Sequence, residues 1–185
     1  MSSLNKSLDS KFYEISKAIS EERGRWPSSQ GSNALVVVYP PKEEKKYLAR
    51  VYETFREDYI IDLSKLFIEY IDNYGFDTFK EMYQNYKSTS VFVDIGEEET
   101  DLLKMILNEI EEAINLEKIP VIIRTGILYG TGIRNNHILE SSLLNKSKKP
   151  LLIFYPGKVD KDLEGKERVY FLGVVKASDY RGQLI

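Results

Sequence analysis

The sequence predicts an α/β protein folded as a single domain, with a mostly parallel or mixed sheet covered by helices on both faces, Rossmann-like or degenerate P-loop-like in arrangement. Three observations carry this reading. Short apolar runs such as Ala34-Leu35-Val36-Val37-Val38-Tyr39 are rich in β-branched residues, the pattern of strands covered on both sides. Stretches of helical period separate these runs, and that alternation marks β-α-β units and parallel pairing. The length, 185 residues, suits one core that needs neither disulfides nor metals.

In chain order, Leu4, Leu8, Phe12, Ile15 and Ile19 recur at spacings of three and four, which predicts an amphipathic helix within residues 1–24, ending before Gly24 and packed on the rest of the 1–185 domain. Arg25 to Asn33 is rich in turn formers, with the single Trp26 set before Pro27, and reads as a loop. Ala34 to Tyr39 is a central strand stopped by Pro40-Pro41. Tyr47, Leu48, Val51, Tyr52 and Phe55 place a helix within Glu43 to Glu57, and Tyr59-Ile60-Ile61-Asp62-Leu63 follows as a second strand. Ser64 to Lys87 holds two helices broken at Gly75. Val91 to Ile95 fits either a short strand or the approach to the next helix. That helix is capped by Thr100 and carries Leu102, Leu103, Ile106, Ile110, Ala113 and Ile114 inward, with Glu109, Glu111 and Glu112 in solvent. Strands at Ile119 to Ile123 and Pro150 to Tyr155 flank a glycine-rich turn and a short helix around Ile138 to Leu144. A last strand covers Arg168 to Val175, leaving Ala177 to Ile185 as a tail.

Composition narrows the function. Hydrophobic residues at 42% and charged residues at 30% give a globular balance rather than a disordered chain. No apolar run approaches the roughly 18 residues of a membrane span, and the first residues are not signal-like, so a cytoplasmic protein without a membrane partner is expected. With no cysteine, disulfides, thiolate catalysis and cysteine-ligated zinc or iron–sulfur sites are excluded. A net charge of −3 disfavours a dedicated DNA-binding domain, and no sequence-specific nucleic-acid contact is expected. Lys146, Lys148 and Lys149 read as solvated surface.

In open α/β sheets ligands bind beyond the carboxyl ends of the strands. Here those ends are Tyr39-Pro40-Pro41, Asp62, Arg124-Thr125-Gly126 and Tyr155-Pro156-Gly157. Thr125 to Gly132 is glycine-rich and follows a strand, but Gly132 precedes Ile133 and Arg134 rather than the Lys and Ser or Thr of a P-loop, and the Gly-x-Gly-x-x-Gly order is missing. Its glycines read as turn formers, with phosphate binding through Arg134 as the alternative. Asp62 and Asp94 stand where carboxylates bind magnesium or act as bases, yet Asp62 fits a helix cap equally well. The sole histidine, His137, rules out histidine-pair metal sites, and no nucleophile elbow presents Ser141 or Ser142 to it. No catalytic residue, cofactor or metal is therefore predicted. Tyr155-Pro156-Gly157 reads as the point where a buried strand breaks into a turn, Pro fixing φ and Gly permitting close approach.

Arg124-Thr125-Gly126, then Tyr129 and Arg134, then Leu151 to Gly157, a hairpin-like passage to Tyr170-Phe171-Leu172-Gly173 and the closing Tyr180-Arg181 resemble the BrxB family of the BREX bacteriophage-exclusion systems. Gly130-Thr131-Gly132 and Asn135-Asn136-His137 depart from that family's pattern. The resemblance implies a non-catalytic core component or adaptor, docking on a larger subunit such as a PglZ phosphatase-like protein. Thr125, Gly126, Tyr129, Arg134, Tyr155, Pro156, Gly157, Tyr180 and Arg181 are the signature or candidate contact residues. The alternative is a degenerate nucleotide-binding or nucleic-acid-processing protein with a phosphate site near residues 125–134.

Overall fold

A computed structural model describes residues 7–21, 33–85, 90–93, 101–161, 167–173, 175–176 and 183–185. Its centre is a parallel sheet in the order β2-β3-β4-β1-β7, formed by Ala34–Tyr39 (β1), Tyr59–Asp62 (β2), Pro120–Ile123 (β3), Leu151–Lys161 (β4) and Gln183–Leu184 (β7). Glu167–Phe171 (β5) and Val175–Lys176 (β6) extend it as an antiparallel meander from the far half of β4.

Every residue of β1 is buried, as a continuous apolar run requires when helices cover both faces. Alternation along the strand divides the core in two. Leu35, Val37 and Tyr39 face Leu8–Glu21 (α1) and Glu44–Thr54 (α2), whose Phe12, Ile15, Tyr47 and Val51 meet Val121, Ile123, Leu152 and Phe154. Ala34, Val36 and Val38 face the other layer, made by Leu63–Tyr74 (α3), Phe76–Asn85 (α4), Ser90–Val93 (α5), Leu102–Asn115 (α6), Asn135–Leu139 (α7) and Leu143–Lys146 (α8). The α/β architecture, mostly parallel with helices on both faces, is as the sequence predicts.

Local rules explain most boundaries. Gly75 ends α3 at φ 76, a conformation that costs glycine little, and α4 starts at the next residue. Asp62 caps α3 by accepting the Ser64 N–H at 3.0 Å. The Tyr70 hydroxyl donates to the Val91 carbonyl, and the Phe67 and Phe92 rings stack at 5.6 Å, so α5 is bound to α3 as a helix rather than drawn into the sheet. No helix among the described residues is long and apolar enough to cross a membrane.

Five expectations need correction. The cap of α6 is Asp101, whose side chain accepts the Lys104 N–H at 2.7 Å; Thr100 lies outside the described residues. Glu109 is not only a solvated residue, since it accepts the Tyr59 hydroxyl at 2.9 Å. β4 does not break at Tyr155-Pro156-Gly157 but runs on to Lys161, exchanging its parallel neighbour β1 for the antiparallel β5 across those residues. Pro156 is tolerated there because it stands at the last register position with β1, opposite Tyr39, and its carbonyl accepts the Leu172 N–H at 2.9 Å. The expected strand 168–175 is two strands, because Leu172 (φ 49) and Gly173 (φ 78) turn the chain between β5 and β6. The tail supplies β7, which pairs in parallel with Leu35 and Val36 and buries Ile185.

Candidate functional site at the carboxyl edge of the sheet

The strand ends named by the sequence meet as two adjoining groups. The first is polar. Asp62 ends β2 and pairs in register with Ile123, so Arg124 emerges one residue beyond it on the neighbouring strand. Arg124 adopts the left-handed conformation at φ 58 and ψ 36, unusual for a residue with a side chain. Its Nε stands 3.4 Å from Asp62 Oδ2, an ion pair without hydrogen-bond alignment, since that Nε is buried with no hydrogen-bond partner. Asp62 is nearly buried and also accepts the Ser64 hydroxyl at 2.7 Å and the Tyr52 hydroxyl at 3.5 Å. Next to this pair, the Tyr39 hydroxyl donates to Glu44 Oε1 at 2.8 Å.

The electrostatics follow from burial and neighbours. Burial, then the hydrogen bond and charge of Glu44, push the Tyr39 phenol far above its ordinary range, with Arg124 opposing. Tyr52 is raised by burial and by the Asp62 charge, again with Arg124 opposing. The guanidinium therefore lies within electrostatic reach of both phenols.

The second group is apolar. The turn Thr125–Leu128 leaves β3 against the end of β4, with the Thr125 hydroxyl donating to the Phe154 carbonyl at 3.0 Å. A Cβ on Gly126 would stand 3.6 Å from Pro156 Cγ and 3.9 Å from Leu172 Cδ2, whereas one on Gly157 would come to 3.0 Å from the Tyr170 carbonyl oxygen and 3.3 Å from Val38 Cγ1. Tyr155 stacks on Phe171 at 4.8 Å, and Tyr129 leans on the same ring at 6.2 Å while remaining 57% exposed. Six of the nine residues singled out in the sequence, Thr125, Gly126, Tyr129, Tyr155, Pro156 and Gly157, thus gather where the parallel sheet becomes the antiparallel meander.

Arg134 is exposed just before α7, and its backbone N–H donates to His137 Nδ1 at 3.3 Å. His137 accordingly serves as a local cap rather than as part of the strand-end groups. Thr125 and Asp62 adjoin through Arg124, but Asp62 draws its ion pair from Arg124 rather than from Arg134. Asp94, Trp26, Tyr180 and Arg181 lie outside the described residues. Among the described residues, no group of three or more His, Asp and Glu is close enough to hold a metal ion.

The residue absent from the candidate contacts is Arg124. Its signal was an acid and an arginine placed one residue apart in register at the ends of two apolar strands, a relation that becomes visible only once β2 and β3 are known to be neighbours. No curated protein and no solved structure matches the chain. A family model described as BREX protein BrxB matches residues 59–184, more than half of the sequence and the whole stretch from β2 through β7. The chain therefore belongs to the BrxB family, and with that family comes its place as a component of BREX phage defence.

Proposed function

We propose that the protein is a non-catalytic adaptor of the BREX assembly, acting in the cytoplasm without a cofactor and docking on a larger PglZ-like subunit. The observation that carries this reading is the gathering of Gly126, Tyr129, Tyr155, Pro156 and Gly157 around Phe171 and Leu172, a packed joint with an aromatic ring standing out of it. Contacts between the strand ends restrain this joint, and a restrained surface lowers the ordering cost of binding another protein. In this role Thr125, Gly126, Tyr155, Pro156 and Gly157 maintain the joint, and Tyr129 and Arg134, with Tyr180 and Arg181, are the contacts.

The alternative, a phosphate site near residues 125–134, is weakened because the Thr125 hydroxyl is fully buried and committed to the Phe154 carbonyl. Co-purification with the products of neighbouring genes at two salt concentrations decides between them. Recovery of a PglZ-like subunit, lost on Tyr129→Arg or Arg134→Glu, supports the adaptor. A protein that purifies alone and is stabilised by nucleotide or Mg²⁺ overturns it.

A further inference from the structure

Arg124 and Tyr129 stand at opposite ends of one short turn whose Thr125 and Leu128 side chains are buried, so the two are fixed relative to each other by the core. Arginine and tyrosine are also the residue types that dominate protein interfaces energetically. The Arg124 side chain is 43% exposed although its Nε is buried beside Asp62. Among the described residues, the contact with Asp62 is the one ion pair it makes, and the Tyr39 and Tyr52 phenols lie within its electrostatic reach. A guanidinium offers two donor edges, and a carboxylate on the Nε side leaves the terminal pair of amino groups free for another acceptor. Asp62 itself is anchored by the Ser64 N–H and hydroxyl, so it holds the fork in place rather than following it.

We propose that the terminal amino groups of the partly exposed Arg124 side chain receive an acidic side chain of the protein partner, with Tyr129 covering the apolar surface beside it; Asp62 is the positioning residue. The inference rests on the adaptor reading and names the surface that it uses. Charge favours a single carboxylate as the occupant. Asp62 already stands against the guanidinium, so a phosphate dianion would meet a carboxylate that half-neutralises its site, and the nearby Thr125 hydroxyl that a phosphate would use is turned into the core.

The test is the affinity of the full chain for the co-expressed PglZ-like subunit, for the parent and for Arg124→Ala, Arg124→Gly and Tyr129→Ala. Each is expected to weaken binding by about tenfold or more. Arg124→Gly separates docking from folding, because glycine accepts the left-handed conformation freely. That variant should melt no lower than the parent and still bind poorly, and the parent's affinity should fall more steeply with salt than that of Arg124→Ala. Binding by both Arg124 variants within about twofold of the parent would sink this inference and leave the adaptor reading standing. Failure of the parent chain to form any complex sinks both. Stabilisation of the parent by inorganic phosphate, abolished in Arg124→Ala, reassigns the fork to phosphate and overturns the proposal.

Discussion

Asp62 and Arg124 meet across the ends of two neighbouring parallel strands, with Oδ2 and Nε 3.4 Å apart, and the same carboxylate caps the helix that leaves the first strand. One side chain thereby holds both a helix start and an arginine.

Removing that carboxylate removes both functions. Asp62→Ala should destabilise the protein by about 1 to 2 kcal/mol, because the Ser64 N–H loses its acceptor in a nearly buried position. Asp62→Asn keeps a capping oxygen and should cost clearly less. Urea denaturation of the two variants measures this. Equal losses would mean that the charge, rather than the cap, is what Asp62 contributes to the fold.

The two signature glycines should behave differently. Gly157→Ala drives a Cβ to 3.0 Å from a backbone oxygen that cannot move without breaking the β4–β5 pairing, and a loss of about 1 to 3 kcal/mol is expected. Gly126→Ala meets only ordinary contacts at 3.6 Å and beyond, and should leave the melting temperature nearly unchanged. A Gly157→Ala variant that melts with the parent would show that the hairpin yields at this crossing.

Thr125→Val conserves shape and removes the hydroxyl donated to the Phe154 carbonyl in a fully buried position. The expected loss is about 1 to 2 kcal/mol in thermal or chemical unfolding. Unchanged stability would show that this hydroxyl is dispensable to the fold, and would reopen its use for a ligand.

Alkaline pH should unfold the protein through its buried phenols. Burial and then the Glu43 charge push Tyr47 up to about 12, and Tyr39 is raised further, against an ordinary value of 10.0. Between these limits the unfolded chain releases phenolic protons that the folded chain retains. The native state then binds more protons, and stability falls as pH rises from about 10 to about 12, by about 1.4 kcal/mol per pH unit for each such phenol. Below pH 10 both phenols are neutral in either state and contribute no slope. A spectrophotometric titration run beside circular dichroism checks this: while the fold persists, Tyr47 should not ionise until about pH 12, and Tyr39 should ionise only together with loss of structure.

The alternation of apolar runs and helical stretches made the sheet and its two layers legible in the sequence, and Gly75, Pro40-Pro41 and Asp62 marked boundaries that the structure keeps. What escaped was long-range. The continuation of β4 through Pro156 depends on β5 lying alongside, and β7 exists only because the outer edge of β1 accepts it. A two-residue strand carries no periodicity, and a Pro-Gly pair reads locally as a stop. The site divided in the same way. Residues of the packed joint stood out by their types, whereas Arg124 depended on strand order and on a left-handed backbone that no side-chain pattern announces.

β4 belongs to two pairing systems at once. Its first half lies between β1 and β3 in the middle of the sheet, and its second half carries the meander of β5 and β6. Whatever grips that meander pulls along the axis of the central strand. The load falls in shear on the six rungs shared with β1, which must give way together rather than peel one by one. The meander is thus a handle fixed to the central strand of the sheet, suited to passing tension from a neighbour into the core.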